Sequence, residues 1–159
     1  MTRWRPAIFW MGIAVALLAR DASAQSSAPD SSGAADDMFE ITLQAPELTT
    51  PLAAGDVVTL HREELRTFQV MIVPRRGHVN YGSILSSING ESADSSMNIV
   101  GLAHGYRCEF HIPATARAHL HRGENLIRIA FHDTWNRPHS AHFRIVLAPD
   151  SSGPGNSSS

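Results

Sequence analysis

Five short stretches of this chain alternate apolar residues with mostly polar ones at a period of two, and this pattern limits the fold more than any other feature. Phe39, Ile41 and Leu43 alternate with Glu40, Thr42 and Gln44, and Phe68, Val70 and Ile72 with Gln69, Met71 and Val73. Tyr106, Cys108, Phe110 and Ile112 alternate with Arg107, Glu109 and His111. Ile127, Ile129 and Phe131 alternate with Arg128, Ala130 and His132, and Ala141, Phe143, Ile145 and Leu147 with His142, Arg144 and Val146. Successive side chains of a strand point to opposite faces, so runs of this kind are half-buried strands. Further runs at Val57–His61, 83–88, 96–102 and 117–121 raise the expected number to about seven to nine strands. No window of the body keeps a helical period. Asn89-Gly90 predicts a two-residue hairpin turn, because both central residues of a type I′ turn need positive φ. The fold class is therefore all-β, an antiparallel sandwich.

Composition narrows the function classes. Charged residues make up 18% and hydrophobic residues 43% of the 159 residues, which suits an ordinary globular body rather than a polyelectrolyte or an integral membrane protein. The formal net charge is −2 and no basic stripe stands out, so nucleic acid is not an expected partner. Residues 1–24 read as an export signal. Arg3 and Arg5 precede a 13-residue apolar stretch, and Ala22-Ser23-Ala24 ends the segment with small residues. That stretch is short of the about 20 apolar residues a spanning helix needs, so no membrane insertion is expected after cleavage. The expected location is secreted, periplasmic or extracellular. Residues 25–37 lack any large apolar side chain and read as a disordered tether, as do the Ser- and Gly-rich residues 150–159. Residues 38–149 are long enough for one sandwich-sized core.

Within the body, Leu120, Gly123 and Asn125 lead into the alternating Ile127, Ile129 and Phe131, then Asp133, Asn136 and the final Phe143, Ile145 and Leu147. This order, with Ile88-Asn89-Gly90 upstream, resembles the C-terminal half of bacterial immunoglobulin-like domains. The resemblance covers about 60 residues well and the first 45 of the body loosely. It departs at the last turn, where Trp135 stands in place of the usual Gly. The resemblance implies an immunoglobulin-like sandwich; such domains serve adhesion, spacing, carbohydrate binding and chaperoning, so function has to come from sites.

The candidate sites are few. Trp135 is the one Trp after the expected leader, and it sits at a loop apex with Asn136 and Arg137. An indole flanked by hydrogen-bonding groups suits a sugar ring or a protein anchor, and the alternative is that it folds back over the end of the sandwich. Histidine is abundant, with nine copies. If the last two runs pair through a loop at 134–140, Phe131 faces Phe143 and His132 faces His142 on the outer surface, with His139 and Asp133 nearby. Facing imidazoles are a partial zinc or copper ligand set. His119 and His121 flank an inward Leu120, so both lie on one face, and His111 would have to be their neighbour to complete a site. The ordinary reading of all of these is solvated histidines on a polar face. Cys108, the single cysteine, falls on the inward face and reads as a buried inert thiol; pairing with another chain is the alternative. Arg75-Arg76-Gly77-His78 is a short basic loop with too little charge for a phosphate backbone.

No G-x-S-x-G, H-E-x-x-H or P-loop is present, and His61-Arg62-Glu63-Glu64 has Leu65 where a zinc protease needs its second His. The sequence thus predicts a secreted, non-catalytic binding or adhesion-type module that contacts protein or glycan through its loop ends, with no cofactor. The alternative is a periplasmic protein binding zinc or copper through His132, His139, His142, His119 and His121.

Overall fold

Alternation governs the core of the two sheets described by the computed structural model, which covers residues 37–149. The expected leader (1–24), nearly all of the tether (25–37) and the tail (150–159) lie outside the described residues. The strands are β1 (Phe39–Gln44), β2 (Leu52–Ala53), β3 (Val57–His61), β4 (Thr67–Pro74), β5 (Val79–Ile88), β6 (Glu91–Ser92), β7 (Met97–Leu102), β8 (Gly105–His111), β9 (Gly123–Asp133) and β10 (Pro138–Ala148). One sheet has the order β2-β1-β4-β8-β7 and the other β3-β10-β9-β5-β6. The all-β sandwich expected from the alternation is present. The strands outnumber the expected seven to nine because β2 and β6 are two-residue pieces. Residues 117–121, expected as a strand, contribute an isolated bridge between Leu120 and Leu65.

The inward residues of the alternating runs form one core. Leu43, Val70, Ile72, Cys108, Ile127, Ile129, Phe143 and Ile145 are fully buried, and each large one stabilises the fold by about 1.5–3 kcal/mol. Phe68 and Phe110 stack at 4.4 Å within the first sheet, and Phe39 meets Phe131 edge-on at 5.0 Å across the two sheets. The Asn89-Gly90 turn forms as predicted: φ is 53° and 86°, and Ile88 pairs with Glu91.

Three features depart from simple alternation. β3 pairs with β10 in parallel, so the second sheet is mixed. β5 carries an irregularity between Asn80 and Leu85, where the pairing with β9 slips. Val79 points inward before it and Ile84, Ser86 and Ile88 after it, a change of parity that leaves Tyr81 and Leu85 exposed. Ser83 closes the slip: its hydroxyl donates to the Asn80 carbonyl (2.6 Å) and accepts from His132 N–H (2.8 Å).

The third departure is the register of the last hairpin. Phe131 pairs with His139, Ile129 with Ala141 and Ile127 with Phe143. The expected facing of Phe131 with Phe143 is off by four positions, because the chain turns through residues 134–137 and Pro138 already belongs to β10. The corner before β9 is tied by Asn125, which is 0% exposed. Its carboxamide nitrogen donates to the carbonyls of His121 (2.6 Å) and Gly123 (3.0 Å), and its oxygen accepts from His121 N–H and the Asn89 side chain (both 3.0 Å).

Candidate functional site

The turn between β9 and β10 is built around one buried carboxylate. Asp133 is 1% exposed. Its Oδ1 accepts from the backbone N–H of Trp135 and of Arg137, each at 2.9 Å, and its Oδ2 from Arg137 Nε at 2.7 Å. His139 Nε2 approaches the same Oδ2 at 3.3 Å. Burial works against the charge of Asp133, but the hydrogen bonds from Arg137 and His139 and the Arg137 charge outweigh it. They hold the carboxyl down at about 2. The backbone closes the turn through Asn136 N–H to the Asp133 carbonyl (2.9 Å), and Asn136 takes φ of 62°, which Asn tolerates better than most residues.

Trp135 sits at the apex of this rigid turn and is 62% exposed. The Arg137 guanidinium lies 4.8 Å from the centre of its ring, and the far end of Arg137 reaches Met38 Sδ at 3.2 Å. The edge of the indole rests on Gly77 in the β4–β5 loop. A Cβ there would lie 2.7 Å from Trp135 Cζ3, and Gly77 has φ of +78°, so a side chain is opposed twice over. Thr134 N–H donates to the His78 carbonyl (3.0 Å), pinning the two loops together. One edge of Trp135 therefore packs against the neighbouring loop, and most of the ring faces outward.

On the other side of the same loop lies a cavity of about 400 Å³, lined by Pro74, Gly77, His78, Leu102, His104 and Tyr106 among others. Tyr81 stacks near Tyr106 with ring centres 6.3 Å apart. Sequence reasoning missed that His78, His104 and Tyr106 gather around one cavity. The β4–β5 loop and the β7–β8 turn meet only in space, and no local spacing signals that. A second cavity, of about 450 Å³, lies at the other end of the first sheet against Gln44, Leu48, Thr67, Gln69 and Glu109.

The expected histidine cluster is not brought together. His132 pairs with Pro138 and His142 with Arg128, so the two imidazoles predicted to face each other are offset by four residues, about 13 Å along the sheet. His139 is not on the outer face either. Its side chain is 9% exposed, with its ring 4.6 Å from that of Phe39 and 5.3 Å from that of Phe131. His111 lies at the exposed end of β8, paired with Thr67. His119 and His121 do share a face on either side of the buried Leu120, with ring centres 5.7 Å apart. Among the described residues no group of three or more His, Cys, Asp or Glu gathers to hold a metal ion. Cys108 is free and 0% exposed, and burial pushes its thiol up to about 12, which keeps it protonated and inert.

Fold and site together define a two-sheet β-sandwich with a pre-organised aromatic apex at one end. No protein-family model matches the chain, and no curated protein matches it. Among solved structures it is similar to the crystal structure of CopC from Methylosinus trichosporium OB3b, with a TM-score of 0.39 and 14% identity. That likeness covers 61% of this chain and 86% of the other.

Proposed function

We propose that this chain is an exported, non-catalytic immunoglobulin-like binding module whose loop end, at Trp135, Asn136 and Arg137, contacts a protein or a glycan. The observation that carries this reading is the combination at Trp135 of exposure and restraint. A large indole left 62% exposed is uncommon without a partner. A free surface indole would lose rotamer freedom on binding, whereas this one is already held by Arg137, Gly77 and the Asp133-centred turn, so little ordering cost remains. Trp and Arg are also the side chains that most often dominate binding energy. Among the described residues no helix is long and apolar enough to cross a membrane.

Trp135→Ala tests this directly. Screened against glycan, peptidoglycan and protein arrays, the variant is expected to lose about 2 kcal/mol or more of binding energy, roughly 30-fold in affinity, with little change in thermal unfolding. In the chain without its leader, Trp135 is also the sole source of indole fluorescence, so ligand should shift its emission to the blue. Unchanged binding by the variant to every ligand of the parent would remove the apex as the site.

One observation favours the second reading, metal binding, in a reduced form. His119 Nδ1 lies 2.7 Å from the Ala116 carbonyl and His121 Nδ1 lies 3.3 Å from the His119 carbonyl. As donors to carbonyls, these Nδ1 atoms leave each Nε2 with its lone pair outward, the tautomer a metal-ligating imidazole uses. Two imidazoles make half a zinc or copper site. Titration with Cu²⁺ or Zn²⁺ is expected to show at most one weak site, abolished by His119→Ala and unaffected by His142→Ala. Tight binding that survives His119→Ala would overturn this assignment.

A further inference from the structure

Four strands end the two sheets: β2 and β7 in the first, β3 and β6 in the second. β2 and β6 are two residues each, too short to seat a partner strand, and β3 ends on the titratable His61. β7 is different. It runs six residues, Met-Asn-Ile-Val-Gly-Leu, with no charge, no proline and no break in its register on β8. Among the described residues no strand pairs with its other side, so a row of backbone N–H and C=O groups faces outward. Proteins usually blunt such an edge with a charge, a proline or a bulge, and β7 has none of these. Apolar surface lies along the same margin. Met97 and Ile99 pack on the core but are only partly buried, and Leu102 is 38% exposed. Tyr81, itself exposed, stacks near Tyr106, the β8 residue opposite Gly101. At Gly101 a Cβ would meet no atom within 4 Å, so the edge has a gap there.

We propose that β7 is the interface between two copies of this chain, paired antiparallel about a two-fold axis through Ile99, so that the first sheet runs on across both. Opposed residues of an antiparallel pair lie on the same face. Met97, Ile99 and Gly101 take the core face, and Asn98, Val100 and Leu102 the outer one. An axis between two residues would set core side chains against outer ones. The axis through Ile99 instead sets Ile99 against itself, Asn98 against Val100, and Met97 against Gly101 of the other copy. The long, flexible Met97 side chain then fills the gap at Gly101, twice in each dimer. An axis through Val100 would leave Met97 opposite Ala103, beyond the end of the strand. An uncharged strand also meets no repulsion from its own copy, as a charged edge would. Backbone hydrogen bonds join the two edges, and the apolar pairs fix their register. None of these residues belongs to the Trp135 apex.

Sedimentation velocity of the purified chain over a concentration series tests the pairing. The parent is expected to sediment as a dimer at about 100 μM chain. In a single copy, the new side chain of Gly101→Glu enters open space, so thermal unfolding at low concentration should match the parent. In the dimer its carboxylate lies against Met97 in the apolar seam, and the dissociation constant should rise about 30-fold or more. Val100→Lys charges the outer face of the same edge and should also weaken the dimer, which keeps the test open should Gly101→Glu fail to fold. Leu126→Glu, on the exposed face of the second sheet, should leave the dimer intact. A parent that stays monomeric throughout the series leaves the edge to a strand of another protein and overturns the proposal. A dimer that a folded Gly101→Glu chain still forms at the parent's affinity overturns it too, as does equal weakening by Leu126→Glu.

Discussion

Asn125→Ala is expected to cost about 3–5 kcal/mol of folding stability, through four hydrogen bonds that end on one carboxamide with no access to water. Truncation leaves the His121 N–H, the His121 and Gly123 carbonyls and the Asn89 amide without that partner at the corner before β9. A buried group so stranded costs about 1–3 kcal/mol, and the sum stays below the simple total because His121 and Asn89 are exposed residues that water can reach. The effect spreads beyond the corner. Asn89 also accepts from Leu126 N–H (2.9 Å), so the β5–β6 hairpin and the start of β9 are joined through the same pair of side chains. Urea unfolding of the variant beside the parent measures it. Asn125→Asp provides the control, since it keeps the acceptor and loses the two donations to carbonyls, and it should fall short of the parent as well. A loss under about 1 kcal/mol for the alanine variant would mean that water replaces the carboxamide at little cost.

The second large effect is the acid response of Asp133. Its folded carboxyl is held at about 2, below the ordinary 3.8, so the group favours the folded state at any pH where the unfolded chain carries a charged carboxylate. That contribution is fully present above about pH 4 and is lost as the pH falls through about 2. The parent should therefore show a drop in thermal midpoint between pH 4 and pH 2 that Asp133→Asn lacks. At neutral pH the variant should already be the less stable protein, because Arg137 and the two turn N–H groups lose a charged acceptor. The same substitution should free the apex, seen as lower fluorescence anisotropy of Trp135. An identical acid profile in parent and variant would show that the Asp133 bonds do not persist in solution.

Side-chain parity was legible in the residues, element by element, and strand register was not. β1 and β3 follow the expected runs closely, and the inward sets of β4, β8, β9 and β10 match the buried residues, because parity is a local property of the strand. The register of β9 on β10 was beyond parity. A shift by one residue would turn every core side chain outward, but a shift by four keeps Ile127, Ile129, Phe131, Phe143 and Ile145 all inward. Periodicity is therefore blind to the difference, and Asp133 decides it by closing a four-residue turn rather than a longer loop. The histidine pairing inherited that blindness: His132 and His142 are outward in either register, and only the observed one says what they face. The β5 slip was hidden because a bulge changes parity in mid-strand.

What the amino-acid order determines by itself is the class of fold, the identity of the core residues, the Asn89-Gly90 turn and the apex position of Trp135, since each depends on neighbours within a few residues. Tertiary structure alone decided which strands adjoin, including the parallel β3–β10 pair, and which loops meet at the Trp135 end. Gly77 beneath the indole and His78 come from the β4–β5 loop, His104 from the β7–β8 turn and Tyr106 from β8, with no shared local pattern. The physical reason is the same in each case. Local sterics and alternation set which way a side chain points, whereas the partner it meets depends on the packing of segments far apart in the chain.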